Sequence, residues 1–134
     1  MKSIEGFDFK SAAILGSGGA SKAVAFALQR KKIPYVIFSR KSDPKFLKYF
    51  DQKNYIPNSD LIINTTPLGT FPNTNDFPPI NFKLITPKSF CYDLIYNPIK
   101  TKFLTKAKEL GATIKNGLNM LENQAEESWK IWNS

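Results

Sequence analysis

The feature that most constrains this chain is a glycine cluster set between a short apolar run and a helix-forming run. Residues 11–16, Ser-Ala-Ala-Ile-Leu-Gly, read as a buried strand that runs into Gly16-Ser17-Gly18-Gly19. Residues 19–30 then place Ala20, Ala23, Val24, Ala27 and Leu28 along one face of a helix. A strand that turns through glycines straight into a helix begins a crossover. Parallel strands need such a crossover, because a tight hairpin can only return the chain antiparallel.

The same alternation continues along the chain. Residues 34–39 (Pro-Tyr-Val-Ile-Phe-Ser) and 60–65 (Asp-Leu-Ile-Ile-Asn-Thr) read as strands, as do 89–96 (Ser-Phe-Cys-Tyr-Asp-Leu-Ile-Tyr) and the short 112–115. Between them a helix is expected over 43–49, with Asp43 as N-cap and Pro44 at the first helical position. Residues 66–80 hold four prolines and Gly69 and read as a loop. A helix is expected over 101–110, stopped by Gly111, and a final amphipathic one over 118–132. Short, continuously apolar strands indicate burial on both faces. The expected fold is therefore α/β: a Rossmann-like, doubly wound, mainly parallel sheet with helices on both faces.

Bulk properties set the limits. A length of 134 residues is one domain's worth, with 42% hydrophobic and 22% charged residues, a globular composition. No apolar run approaches the roughly 18 residues of a membrane span. The start, Met1-Lys2-Ser3-Ile4-Glu5, lacks the apolar stretch of a secretory signal. The net charge of +8 comes from lysines spread along the sequence rather than blocked with aromatics. A solvated basic surface is thus preferred to nucleic-acid binding. The absence of histidine removes imidazole acid–base chemistry and most zinc sites. The lone cysteine, Cys91, reads as a small core residue in a strand, consistent with a reducing cytoplasm.

The glycine cluster has a physical reading. Gly16 permits the tight turn, and Gly18 lets backbone approach a pyrophosphate with no Cβ between. Amides at the helix N-terminus, around Gly19 and Ala20, then face the phosphates. The third small residue of a G-x-G-x-x-G/A pattern falls on Ser21. An NAD site usually carries Asp or Glu at the tip of the second strand to bind the ribose 2′-hydroxyl. Here that tip is Ser39-Arg40-Lys41-Ser42. A guanidinium suits a 2′-phosphate. On its own this would be a solvated basic turn; placed after the glycine loop, NADP is the better reading. Nearby Asp43 keeps NAD as the lesser alternative.

Four segments, in order across nearly the whole chain, resemble the shikimate dehydrogenase family. They are Gly16-Ser17-Gly18-Gly19-Ala20-Ser21-Lys22-Ala23, Ile63-Asn64-Thr65-Thr66-Pro67-Leu68-Gly69, Tyr92-Asp93-Leu94-Ile95-Tyr96-Asn97-Pro98 and Asn116-Gly117-Leu118-Asn119-Met120-Leu121-Glu122-Asn123-Gln124-Ala125. The resemblance implies that Gly16, Ser17, Gly18, Gly19 and Ala20 cradle the pyrophosphate. Ser39, Arg40 and Lys41 would clamp the 2′-phosphate. Asn64, Thr65 and Thr66 would line the cofactor path, and Leu94, Gly117 and Met120 would approach the nicotinamide. Tyr96 and Gln124 would touch shikimate; by residue type alone they read as a strand-end aromatic and an exposed helix position. Asn119, Thr70, Lys41 and Pro44 depart from the family pattern.

The activity so implied is NADP-dependent reduction of 3-dehydroshikimate to shikimate, in aromatic amino-acid biosynthesis. The whole chain, 1–134, would be the NADP-binding domain, with 117–132 a C-terminal helix returning toward the substrate cleft. In this family an upstream substrate domain carries the lysine and aspartate that handle the proton. No catalytic residue is therefore expected within this chain, which alone would be inactive. A quinate/shikimate dehydrogenase using NAD and a stand-alone, non-catalytic nucleotide-binding module are the alternatives.

Overall fold

Every strand described runs in the same direction. The computed structural model describes residues 9–41 and 43–117. In chain order these form β1 (Ala12–Leu15), α1 (Gly19–Arg30), β2 (Tyr35–Phe38), β3 (Leu61–Asn64), β4 (Phe90–Asp93), α2 (Lys102–Glu109) and β5 (Thr113–Lys115), with short 3₁₀ turns at Tyr49–Asn54, Ile56–Asn58 and Phe82–Leu84. The sheet order is β2-β1-β3-β4-β5, parallel throughout. The expected Rossmann-like α/β fold is what forms.

Strand alternation divides the core into two layers. Ala12 and Ile14 of β1, Leu61 and Ile63 of β3, and Phe90 and Tyr92 of β4 pack with Val24, Ala25 and Leu28 of α1. Ala13, Leu15, Ile62 and Cys91 face the other way, onto Phe103, Leu104 and Ala107 of α2. Neighbours in sequence point to opposite sheet faces, so continuous apolar strands demand a helix on each. Fully burying a side chain such as Leu28 or Phe103 contributes about 1.5–3 kcal/mol. Cys91 is a core residue, as its sequence setting implies; burial pushes its thiol up to about 12, which leaves it inert.

Two elements differ from the sequence expectation. The helix expected over 43–49 does not form. The Asp43 carboxylate accepts the Lys45 amide at 2.9 Å, closing a local turn in place of a helical cap. Leu47 then bonds to β2, its amide to the Ile37 carbonyl at 2.8 Å and its carbonyl from the Ser39 amide at 2.9 Å. Edge pairing with β2 thus consumes the groups a helix would have used. The strand expected to reach residue 96 ends at Asp93, whose carboxylate takes the Ile95 amide at 3.0 Å. The helix expected over 118–132, and with it Met120 and Gln124, lies outside the described residues.

Candidate functional site

The chain reverses its winding between β1 and β3: β2 lies on one side of β1, while β3, β4 and β5 lie on the other. The segments that follow β1 and β3 therefore leave the sheet in opposite directions, and a crevice opens at this switch point. Gly16 sits at its base. Its φ of +106° is left-handed, and a Cβ there would come within 2.8 Å of both Thr65 Oγ1 and Thr66 Cγ2. Its amide donates to the Phe38 carbonyl at 2.8 Å, tying the turn to the tip of β2.

Gly18 and Gly19 are different. Gly18 has φ −78° and ψ −166°, accessible to any residue. A Cβ added at either position meets no protein atom within 4 Å. Neither contact nor conformation demands glycine at Gly18, so the bare backbone there leaves an open cradle. α1 starts at this point with no side-chain cap and no acidic residue in its first turn. Uncapped amides and the positive end of the helix dipole face the cradle, an arrangement that favours a phosphate. Ser21, the third small residue of the pattern, is buried; its hydroxyl donates to the Gly18 carbonyl at 2.6 Å and holds the loop on the helix.

A cleft of about 270 Å³ joins the glycine turn to the tip of β2; Gly16, Ser17, Ser39, Arg40, Lys41 and Thr66 all line it. The Ser17 and Ser39 hydroxyls are 2.7 Å apart, and Ser39 Oγ accepts the Lys41 amide at 3.0 Å. The buried Ser39 thus fixes the backbone from which Arg40 and Lys41 extend, both exposed. Asp43, whose carboxylate is engaged by Lys45, does not line this cleft. Tyr49, which sequence reasoning missed, does. No spacing rule points to it, because its place depends on Leu47 pairing with β2.

The three residues after β3 play unequal parts. Asn64 is fully buried, and its amide is used internally: Nδ2 donates to Asp93 at 3.1 Å, and Oδ1 accepts from the Thr66 amide and hydroxyl at 3.0 and 2.7 Å. The Thr65 hydroxyl donates to the Leu15 carbonyl at 2.7 Å. Thr66 reaches the cleft, held there by Asn64. Asp93 is buried at the hub of this network, accepting also from Thr101 Oγ1 at 2.6 Å, where Thr101 is the N-cap of α2. Burial pushes Asp93 up to about 6, although its hydrogen bonds from Thr101, Ile95 and Asn64 pull the other way.

A second cleft of about 410 Å³ lies along the same sheet edge, lined by Pro67, Thr70, Leu94, Ile95, Tyr96 and Asn97. Pro67 belongs to both clefts, so they adjoin. Tyr96 is 52% exposed here. Gly117 packs on Leu94: a Cβ at Gly117 would overlap the Leu94 carbonyl, and the Gly117 amide donates to Ile95 O at 3.1 Å. The fold thus brings Leu94, Tyr96 and Gly117 together at one end of the edge, and the glycine loop with Arg40 at the other.

A parallel sheet with its switch point at a glycine-rich strand–helix turn defines the class: a Rossmann-like α/β domain. No protein-family profile matches the chain. Individual relatives do. The NADP(+) shikimate dehydrogenase of Methanococcus maripaludis is 42% identical over 137 residues, covering 92% of this chain and 49% of that protein. The crystal structure of a chorismate mutase/shikimate 5-dehydrogenase fusion protein from Clostridium acetobutylicum superposes with a TM-score of 0.82 at 35% identity, over 98% of this chain and 51% of that one. The shikimate 5-dehydrogenase of Thermus thermophilus, in complex with NADP(H) and shikimate, gives 0.77 at 27% identity, over 90% of this chain and 48% of that one. Over 92% of its own length this chain is similar to shikimate dehydrogenases. It spans about half the length of the curated relatives it matches.

Proposed function

We propose that this chain is the NADP-binding part of a shikimate dehydrogenase, acting on shikimate and 3-dehydroshikimate. The observation that carries the cofactor assignment is a cleft lined by Gly16, Ser17, Arg40 and Lys41 and by no carboxylate, next along the chain to open glycine positions at an uncapped helix start. The amides around Gly18 and Gly19 would hold the pyrophosphate, and Arg40 and Lys41 the 2′-phosphate. NADP(H), when bound, supplies hydride exchange. The chain's own residues orient it: Gly16 sets the loop, Ser39 sets the basic tip, and Leu94, on which Gly117 packs, lines the far cleft. Tyr96 offers a hydroxyl to a polyhydroxylated acid at that end. In the Thermus thermophilus relative both NADP(H) and shikimate are bound, which favours this reading over a non-catalytic module.

The NAD-dependent alternative has little to rest on, since Asp43 does not line the cleft. Proton transfer would come from a complementary substrate domain, which the half-length match to the relatives leaves room for. A cytoplasmic setting fits one buried free cysteine and the absence, among the described residues, of any helix long and apolar enough to cross a membrane. Calorimetric titration with NADP and NAD tests the proposal: NADP is expected to bind more tightly, and equal affinities would overturn it.

A further inference from the structure

The cleft at the tip of β2 contains an aromatic hydroxyl that the nucleotide motifs do not account for. Because Leu47 pairs with β2, the chain returns to the strand end, and Tyr49 follows two residues later beside the glycine turn. Its ring stacks on Phe38, with centroids 5.7 Å apart and planes 28° from parallel. Phe38 is fully buried, so the core fixes the direction of the phenol. Tyr49 lines the same cleft as Gly16, Ser39, Arg40 and Lys41.

Burial pushes the phenol up to about 12, outweighing the nearby Arg40 guanidinium, which acts in the opposite sense. It therefore stays protonated. The Arg40 guanidinium is donor-only and cannot accept its proton. A protonated hydroxyl beside a guanidinium is matched by an oxygen-rich anion, which takes a hydrogen bond from each.

We propose that Tyr49 is a further specificity-determining residue of this site, its hydroxyl donating to the 2′-phosphate alongside Arg40. The proposal rests on the reading of the cleft as an NADP site. It adds a neutral donor, fixed from the protein core, to a clamp whose sequence signature consists of Ser39, Arg40 and Lys41. The ring of Tyr49 has a separate duty in packing on Phe38, and phenylalanine would preserve it.

The test is titration of the full 134-residue chain with NADP and with NAD, for wild type, Tyr49→Phe and Arg40→Ala. Matched melting temperatures and circular dichroism for wild type and Tyr49→Phe establish that the ring still packs. Tyr49→Phe is expected to weaken NADP roughly tenfold, as for loss of a hydrogen bond to a charged group, and to leave NAD within twofold. Unchanged NADP affinity in Tyr49→Phe, with Arg40→Ala impaired, overturns the role of Tyr49 while the NADP reading stands. Equal losses for NADP and NAD overturn it too, since the hydroxyl then serves something other than the 2′-phosphate. Wild type without any NADP preference, and Arg40→Ala without effect, would bring down the underlying reading and this proposal with it.

Discussion

The side-chain amide of Asn64 donates to the carboxylate of Asp93 across 3.1 Å, joining the ends of β3 and β4 inside the protein. From this pair the bonding runs both ways along the sheet edge. Asn64 holds Thr66 at the cleft beside the glycine turn, while Asp93 holds Ile95 beside Tyr96 and Thr101 at the start of α2. The two clefts thus share one buried scaffold, and a buried acid lies at its centre.

That acid makes stability depend on pH. Burial raises Asp93 from 3.8 to about 6 in the folded protein. Between these values the folded chain holds a proton that the unfolded chain has released. Its contribution to stability is therefore complete below about pH 4 and lost as the pH rises through about 6. Two units correspond to an effect on the order of 3 kcal/mol. Denaturant unfolding of wild type and Asp93→Asn from pH 4 to 8 reads it. Wild type should lose stability relative to the variant across this window; a difference that stays constant would show that Asp93 titrates normally.

How much of this was legible in the sequence depended on the range of the interactions. The glycine loop and α1 were legible because strand, turn and helix signals are contiguous. The basic tip at Arg40 was legible by its distance from that loop. The segment 43–49 misled because Asp43-Pro44 carries a local capping signal, and nothing local announces that Leu47 pairs with β2. The same pairing hid Tyr49. Asp93 appeared only as a letter in a motif; its role depends on Asn64 and Thr101, which the fold alone brings to it.

The loop glycines should separate by mutation. Gly16→Ala places a Cβ at φ +106° against two threonines. It should destabilise the fold by roughly 1–3 kcal/mol, the usual cost of a strained backbone position. Gly18→Val meets open space, so the melting temperature should hold while NADP binding is lost. Thermal unfolding with calorimetry on both variants checks this. Undiminished NADP binding by Gly18→Val would mean that the loop is only a turn.

The basic tip should show itself as a charge effect. Arg40→Ala removes an exposed guanidinium from the proposed 2′-phosphate clamp and should cost NADP roughly 1.5–3 kcal/mol, with little change for NAD. The site is open to solvent, so the NADP preference should also shrink with added salt. Titrations of wild type and Arg40→Ala at two salt concentrations measure both effects. An NADP preference that survives Arg40→Ala intact would place the discrimination elsewhere.

The chain on its own should bind NADP and yet not turn over shikimate. Oxidation of an alcohol releases a proton, and a positioned acid–base group typically contributes ~10²–10⁴-fold. The sequence contains no histidine. Asp93 has the raised value of an acid–base group, but it is fully buried and bonded to Asn64, Ile95 and Thr101, out of reach of a ligand in either cleft. Tyr96 stands exposed on one wall of the second cleft. A substrate held from one wall lacks the orientation that a closed site enforces, and orientation alone can account for several kcal/mol of a barrier. The missing functions should therefore be supplied by a complementary substrate domain, in cis or as a separate polypeptide. The measurement is NADPH formation from shikimate by the pure 134-residue protein, before and after addition of that domain from a full-length relative. Turnover should appear only on addition. Robust turnover by the chain alone would locate the proton-transfer group within these residues, and would make Tyr96 the first to mutate.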